Sequence, residues 1–265
     1  MTPTPPLTGP PELLDRALRA DPARPLLTFY DDATDERTEL SVATFANWVA
    51  KTANLLQDDL GAGPGATLSL DLPPHWQAAV WLQSAWMLGL QVVPAAAAAE
   101  IAVIGYDGRA PTGAGDVVAL GLGPLGLPRR DAAAPDGTTL DFDREVHSHG
   151  DRFAPAEQPD PATPAFTSGG DQVLSGADLA AAAQAAPALP DGGRLLVAGP
   201  LTGMAAVLGG LLVPLATGVT AVLCRHLDLS RLPSRIQQEG LVAAVGPDTP
   251  GLPAWAPGGS GTPPG

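Results

Sequence analysis

The 265-residue chain has a single cysteine, Cys224, and therefore cannot form a disulfide within itself. Disulfide-stabilised secreted folds are excluded, and a reducing cytoplasm is the expected location. The letters that precede and include this cysteine, TAVLC, are apolar. Such a setting is typical of a buried strand end and not of an activated thiol, which needs positive charge nearby.

Positive charge is scarce, with 14 lysine and arginine residues against 28 aspartate and glutamate residues and a formal net charge of −14. Lys51 is the only lysine. No segment concentrates basic side chains as a protein that follows a phosphate backbone requires, so nucleic acid is excluded as a partner. The same charge opposes an anionic ligand such as ATP unless a local site overcomes it.

The sequence also shows neither a leader-like pattern at its first residues nor a long hydrophobic run. The first residues, MTPTPPLTGPPELLDRALRADP, lack a basic segment followed by an apolar one, and no run approaches about 18 apolar residues. The most apolar segment, residues 204–224, is divided by Pro214 and several glycines, and it predicts a buried helix followed by a strand. We therefore expect a soluble, unexported protein with no membrane span.

Glycine and proline, by contrast, are abundant, at 31 and 30 residues. Together they bring the composition close to the level at which disorder becomes common. Their distribution predicts a first α/β lobe over residues 1–155, with an irregular insertion over about 107–155. It also predicts a second lobe over residues 156–247 and a disordered tail over residues 248–265.

Hydrophobic periodicity predicts alternating strands and helices. From Ser41, a good N-cap, apolar residues recur at helical spacing until Gly61. The segments ATLSLDL, HWQAAVWLQSAWMLGL and QVVPA then read as strand, helix and strand, which form a βαβ unit and require a parallel sheet. The same alternation continues in the second half of the chain. The predicted fold class is α/β, with mainly parallel sheets flanked by helices.

Residues 60–94, LGAGPGATLSLDLPPHWQAAVWLQSAWMLGLQVVP, resemble the amino-terminal domain of the adenylate-forming superfamily. That superfamily contains acyl-CoA synthetases, peptide-synthetase adenylation domains and luciferases. FTSGG at 166–170 falls where its phosphate-binding loop begins, and the likeness extends over most of residues 10–250. The resemblance implies two stacked lobes of mainly parallel sheet, an acyl-adenylating ligase activity, and ATP or AMP with magnesium as cofactors.

The chain departs from the family's pattern at the phosphate-binding loop. The remnant of that loop comprises Thr167, Ser168, Gly169 and Gly170. The lysine-bearing half of the family's loop has no counterpart, and Asp171 stands in its place. Glycine-rich loops hold phosphates with backbone amides and a cation, so a carboxylate there opposes binding. We expect a polar turn before a helix, with weak or absent nucleotide binding.

Other parts that the resemblance implies for catalysis have no counterpart either. These are the family's aromatic-Gly-x-Thr-Glu motif, its ribose-binding aspartate, and the small carboxy-terminal domain with its lysine. Lys51, on an early predicted helix, is not a substitute for that lysine. Positioned cations supply most of the transition-state stabilisation in nucleotidyl and phosphoryl chemistry. We therefore assign no catalytic residue and expect that the chain does not form acyl adenylates alone.

Two further motifs carry weaker signals. The glycines of GLGPLG, residues 121–126, match a dinucleotide-binding pattern, but the prolines in and after it oppose the required helix, so a loop is expected. His147 and His149 do not share a helical face, and Cys224 and His226 lack a second pair of ligands. The sequence therefore predicts no metal site.

Three functions are left open. The first is a truncated AMP-binding synthetase-like protein with residual acyl or nucleotide binding. The second is a non-catalytic interaction or scaffold protein that docks on another protein or on a second copy of itself. The third is an enzyme completed in trans by a separate polypeptide that carries the missing lysine. A hydrolase with Ser168 as nucleophile is not favoured because the G-x-S-x-G turn is absent. The sequence names no acyl substrate.

Overall fold

The computed structural model describes residues 8–127, 139–169, 172–190, 192–246 and 249–258. Within these ranges the strands are β1 (Pro25–Asp31), β2 (Glu36–Ser41), β3 (Thr67–Asp71), β4 (Gln91–Val93), β5 (Ile101–Gly105), β6 (Asp116–Leu120), β7 (Leu140–Asp141), β8 (Pro164–Thr167), β9 (Val173–Ser175), β10 (Arg194–Val197), β11 (Thr220–Arg225) and β12 (Leu241–Val245). The α-helices are α1 (Pro10–Ala20), α2 (Val42–Asp58), α3 (Trp76–Met87), α4 (Phe142–Glu145), α5 (Gly176–Gln184), α6 (Met204–Val207), α7 (Val213–Thr217) and α8 (Leu232–Glu239).

The strands form two sheets. The five-stranded sheet has the order β12-β10-β11-β1-β2, and the seven-stranded sheet has the order β7-β6-β5-β3-β4-β8-β9. Neighbouring strands run parallel except in the hairpin pairs β1–β2 and β8–β9. Helices pack against both sheets. The predicted α/β class, with mainly parallel sheets flanked by helices, is confirmed.

Each sheet takes strands from both sides of residue 155. The five-stranded sheet joins β1 and β2 to β10, β11 and β12, whereas β8 and β9 extend the seven-stranded sheet. The strands therefore do not divide between the sheets at the predicted lobe boundary. Parallel neighbours are joined by crossover connections, so sequence order need not match the order of strands in a sheet.

Helix α2 begins and ends as its sequence predicts. The Ser41 hydroxyl accepts a hydrogen bond from the Thr44 amide at 3.1 Å and so satisfies one amide of the first turn. Phe45 and Val49 lie on its buried face. After the helix, Gly61 has a φ of 61°, a left-handed conformation that glycine adopts without strain.

Helix α3 is buried on all sides and joins β3 to β4 in a parallel βαβ unit. It packs against α2 and contacts β1 in one sheet and β4 in the other. Trp76, Trp81 and Trp86 lie around this helix and are all buried. The Trp86 indole donates a hydrogen bond to the Ala165 carbonyl at 2.9 Å and thereby ties the helix to β8.

The apolar segment predicted as one buried helix contains a π-helical turn, Leu208–Leu212, between α6 and α7. Its glycines allow close packing on the five-stranded sheet. A Cβ atom at Gly209 would lie 2.8 Å from side-chain atoms of Leu195 and of Val245, and one at Gly210 would lie 2.6 Å from Leu201. Any larger residue would push this turn away from the sheet.

The predicted disorder of the tail over 248–265 is wrong for residues 249–258. Trp255 is only 7% exposed and belongs to the hydrophobic core. Its amide donates to the Ala244 carbonyl at 2.7 Å, and the Ala244 amide donates to the Pro253 carbonyl at 3.0 Å. Burial of one tryptophan offsets part of the ordering entropy of this segment, and composition does not reveal such a long-range contact. Residues 259–265 lie outside the described ranges.

The region predicted as an irregular insertion, 107–155, contributes regular elements. The segment GDVVALGL contains the strand β6, and LDFDREVHSH contains the short helix α4. β6 and β7 extend the seven-stranded sheet at one edge. Residues 128–138 lie outside the described ranges. Among the residues that are described, no helix has the length and apolar character needed to cross a bilayer.

Candidate functional site

The predicted remnant of a phosphate loop lies at the turn between β8 and β9. The Thr167 hydroxyl accepts a hydrogen bond from the Gln91 side-chain amide at 2.8 Å. The Ser168 amide donates to the Gln172 carbonyl at 2.9 Å, and the Ser168 hydroxyl points to the same carbonyl at 3.4 Å. These polar groups therefore hold the hairpin together and link it to β4.

The sequence suggested that this turn leads directly into a helix, but it does not. β9 intervenes, and α5 begins only at Gly176. Ser175 and Asp178 form a capping box that satisfies the first amides of α5. A Cβ atom at Gly169 would meet nothing within 4 Å, so this side of the turn is open. Gly170 and Asp171 lie outside the described residues.

The only lysine has a structural contact elsewhere in the fold. Lys51, on α2, donates from Nζ to the His149 carbonyl at 2.5 Å. One turn further along, Asn54 donates to the carbonyls of Gly150 and Arg152, both at 2.9 Å. The two side chains together fasten the segment after α4 to α2.

A cleft of about 330 Å³ opens where the carboxyl ends of parallel strands from both sheets meet. We call it the inter-sheet cleft. The seven-stranded sheet contributes residues 71–73, 105–108 and 120–122, which follow or end β3, β5 and β6. Arg225, at the end of β11, and Pro200 line it from the side of the five-stranded sheet. This edge is where open α/β sheets characteristically bind ligands.

Arg225 is the basic residue of the cleft lining. Its side chain is 24% exposed and its Nε lies 3.9 Å from an Asp31 oxygen. Its Nε is buried and has no hydrogen-bond partner within the described ranges. Asp31 itself accepts hydrogen bonds from the His226 ring at 2.7 Å and the Ala33 amide at 3.0 Å. Because Arg225 is partly exposed and lines the cleft, the N–H groups of its two Nη atoms are the donors that a ligand could meet.

A buried carboxyl lies directly behind the cleft. Asp143 accepts a hydrogen bond from the Gly121 amide at 2.8 Å, and its other oxygen has no partner within the described ranges. Beside it the Tyr106 hydroxyl donates to Asp141 at 2.6 Å. Burial raises the pKa of Asp143 to about 6, and the charge of Asp141 acts in the same direction. Carboxyl groups with raised pKa values are frequent at functional sites.

Replacing Asp143 with asparagine is expected to raise the free energy of unfolding by about 2 kcal/mol at pH 7.5 and by clearly less at pH 5. The folded-state pKa lies above the unfolded value, so the charged form costs stability once the pH rises through about 6. Asparagine keeps the acceptor for Gly121 and carries no charge. Urea unfolding at both pH values measures the effect.

Asp116→Asn, at the exposed start of β6, is the matched control for this carboxyl and should leave stability unchanged at both pH values. If the change in stability caused by Asp143→Asn is the same at pH 7.5 and at pH 5, the raised pKa is wrong.

A second cavity, of about 310 Å³, lies between the start of α1, the end of α3 and the segment 155–165. Its charged lining residues are Glu12, Asp15 and Asp160. Glu12 is engaged by the Thr8 amide at 2.9 Å, which lowers its pKa. The inter-sheet cleft is the better candidate because it places an arginine, a tyrosine and carboxylates around one space.

The other motifs singled out in the sequence do not form sites. The segment 121–126 makes a short 3-10 turn at Pro124–Gly126 and no helix follows it within residues 121–127, as expected for a loop. His147 packs edge-on against Trp48, with ring centroids 5.7 Å apart, whereas the His149 ring lies 3.0 Å from an Asp59 oxygen. The two histidine rings therefore contact different residues.

The thiol of Cys224 is buried, and burial raises its pKa to about 12. His226 instead bonds to Asp31. Within the described ranges no three His, Cys, Asp or Glu side chains are grouped closely enough to hold a metal ion.

Sequence reasoning missed Arg225, Tyr106 and Asp143. One signal could have found two of them: Arg225 directly follows the apolar segment 204–224, which was predicted to end in a strand, and Tyr106 directly follows the apolar run IAVIG. Polar residues at the carboxyl ends of parallel strands converge on one edge of a sheet. Which strands are neighbours, however, could not be read from the letters.

The fold and the cleft define the class of this protein: an α/β protein with two mainly parallel sheets and a ligand-sized space where their strands end. No protein-family model matches the chain. The chain is 38% identical over 244 residues to a TIGR03089 family protein of Mycobacterium tuberculosis (strain ATCC 25618 / H37Rv), across 89% of this chain and 97% of that protein. The chain therefore belongs to the TIGR03089 family.

Proposed function

We propose that this protein is an AMP-binding synthetase-like member of the adenylate-forming superfamily that does not form acyl adenylates by itself. The proposal rests on the hydrogen bonds that the remnant of the phosphate-binding loop makes within the fold. The Thr167 hydroxyl accepts from Gln91, and Ser168 closes the turn on Gln172. The likeness of residues 60–94 to the superfamily and the α/β architecture support the assignment to its scaffold.

The proposed loss of catalysis follows from the shortage of positive charge that would offset a bound triphosphate. A bound triphosphate needs cations that offset its negative charge, and those cations provide most of the rate in such reactions. Here the net charge is −14. The only ammonium side chain donates to the His149 carbonyl. Residual nucleotide or acyl binding at the turn is accordingly weak.

Titration calorimetry with magnesium ATP and with AMP tests the proposal. We expect dissociation constants weaker than about 1 mM and no ATP–pyrophosphate exchange with a mixture of carboxylic acids. Thr167→Val removes the hydroxyl at nearly constant volume. It should lower stability by about 1 kcal/mol through the lost contact with Gln91, without a change in nucleotide binding.

Micromolar ATP affinity that falls in Thr167→Val, together with pyrophosphate exchange by the unaided chain, would contradict the proposal. Exchange that appears only after a separate lysine-bearing domain is added would favour completion in trans. Self-association in sedimentation, without any nucleotide binding, would favour the interaction or scaffold function.

A further inference from the structure

The inter-sheet cleft has walls of opposite charge. Asp71 ends β3, and Asp107 follows β5, which pairs with β3 in parallel. Both carboxylates are exposed at the rim on the side of the seven-stranded sheet. Arg225 ends β11 and lines the cleft from the five-stranded sheet. A ligand in this space therefore touches an acidic wall and a basic wall at once.

Arg225, the basic wall of the cleft, favours a carboxylate group on the ligand. A guanidinium offers a planar fork of donors that matches a carboxylate, and such charge-assisted pairs are among the strongest hydrogen bonds in proteins. Arg225 lines the cleft and is partly exposed, and Asp31, which lies 3.9 Å from its buried Nε, is already held by His226. A ligand carboxylate would accept hydrogen bonds from the Nη atoms of Arg225.

The acidic wall weakens the binding of a plain anion. Asp71 and Asp107 repel any ligand with negative charge alone, and Asp31 already offsets part of the charge of Arg225. A plain cation would satisfy the two carboxylates but would leave the arginine donors without acceptors. Only a ligand with both charges, held apart, satisfies both walls.

We propose that the inter-sheet cleft binds a small zwitterion, with its carboxylate on Arg225 and its ammonium group on Asp71 and Asp107. Free amino acids are the chemical class that fits. The space of about 330 Å³ is at the small end for ligand pockets, which run from about 300 to 1,000 Å³. Leu72 and Leu122 line it and offer contacts to a short apolar side chain.

This site is separate from the β8–β9 turn. None of Thr167, Ser168 and Gly169 lines the cleft. The absence or presence of ATP binding at the turn therefore leaves the zwitterion site untouched, and the two can fail independently.

Calorimetric titration of the full chain with the protein amino acids, one at a time, identifies the tightest probe. That amino acid is then compared with its deaminated acid and its decarboxylated amine, which keep the side chain and lose one charge each. We expect the amino acid to bind about tenfold or more tightly than either. No saturable heat from any amino acid up to about 10 mM overturns the proposal.

Two variants assign the walls. Arg225→Gln should weaken the amino acid and the acid about tenfold while leaving the amine unchanged or tighter. Arg19→Gln, with an exposed arginine on α1, is the control and should change nothing. Unchanged amino acid binding in Arg225→Gln, with a native circular dichroism spectrum, overturns the carboxylate assignment.

Asp107→Asn changes only the exposed rim and gives a second readout if Arg225→Gln does not fold. It should weaken the amino acid several-fold and tighten the deaminated acid, because one repelling charge is gone. A parallel change for both probes overturns the ammonium assignment. Equal affinity of the amino acid and its deaminated acid in the unaltered protein overturns it as well.

Discussion

Asp32→Ala is expected to lower the free energy of unfolding by about 3–5 kcal/mol, because it leaves a buried arginine without its partner. Arg235 on α8 meets the Asp32 carboxylate with two nitrogens, Nη2 to Oδ1 at 2.5 Å and Nη1 to Oδ2 at 3.0 Å. The two side chains are only 7% and 2% exposed. The loss is a large share of the roughly 5–15 kcal/mol that stabilises a typical domain.

The groups around Arg235 hold its positively charged guanidinium inside the protein. Its guanidinium lies 4.3 Å from the centroid of the Tyr30 ring, and Nη1 is 3.1 Å from the Cys224 sulfur. The Asp228 amide also donates to Asp32 at 2.8 Å. Burial alone would raise the pKa of Asp32, but the hydrogen bonds from Arg235 and Asp228 lower it below the ordinary value. This stabilisation is lost as the pH falls through that lowered pKa.

Urea unfolding at pH 7 measures the effect of Asp32→Ala. Asp15→Ala is the control, since its pair with Arg19 spans 3.7 Å and both side chains are more than half exposed. The control should cost under about 0.5 kcal/mol. The double variant Asp32→Ala with Arg235→Leu should be more stable than Asp32→Ala alone, because no unpaired charge stays buried. A loss below about 1 kcal/mol in Asp32→Ala would show that the buried pair is not coupled as described.

Acid should destabilise this protein through His75, by about 2 kcal/mol between pH 7 and pH 5 from this residue alone. His75 is completely buried and packs edge-on against Phe29, with ring centroids 4.4 Å apart. Burial lowers the pKa of His75 to about 3, and Arg225 acts in the same direction. Its Nδ1 accepts from the Gln77 amide at 3.2 Å and caps α3, so the neutral ring is the form that fits.

The sign of the effect follows from the two states. The unfolded chain binds a proton at His75 once the pH falls below about 6.5, whereas the folded protein does not until about pH 3. Protonation therefore favours unfolding across that window, and the contribution is fully present above it. The loss grows by about 1.4 kcal/mol for each further pH unit within the window.

His75→Asn separates this residue from the carboxylates that also titrate. Asparagine caps helices well and has no charge to gain, so the variant should lose less stability than the unaltered protein between pH 7 and pH 5. His147→Asn, at an exposed position, should keep the full pH dependence. Chemical denaturation at several pH values gives the comparison. Parallel stability–pH curves for His75→Asn and the unaltered protein would rule the explanation out.

Much of the local structure was predictable. The Ser41 cap, the face of α2 and the strand–helix–strand unit of β3, α3 and β4 follow from residues close in sequence. The hydrophobic periodicity of these elements reflects which side chains lie on one face, and the sequence shows that periodicity directly. The β8–β9 hairpin was not predicted, because β9, with the sequence VLS, is too short to show a periodic pattern.

Composition and periodicity by themselves determined the α/β class, the excess of negative charge and the positions of most helices and strands, because each depends on counts or on neighbours along the chain. Only the tertiary structure decided that β1 pairs with β11, that Trp255 closes the core, and that Arg225 faces Asp71 and Asp107 across one cleft. Those outcomes depend on contacts between residues far apart in sequence, whose free energies come from packing the whole chain at once.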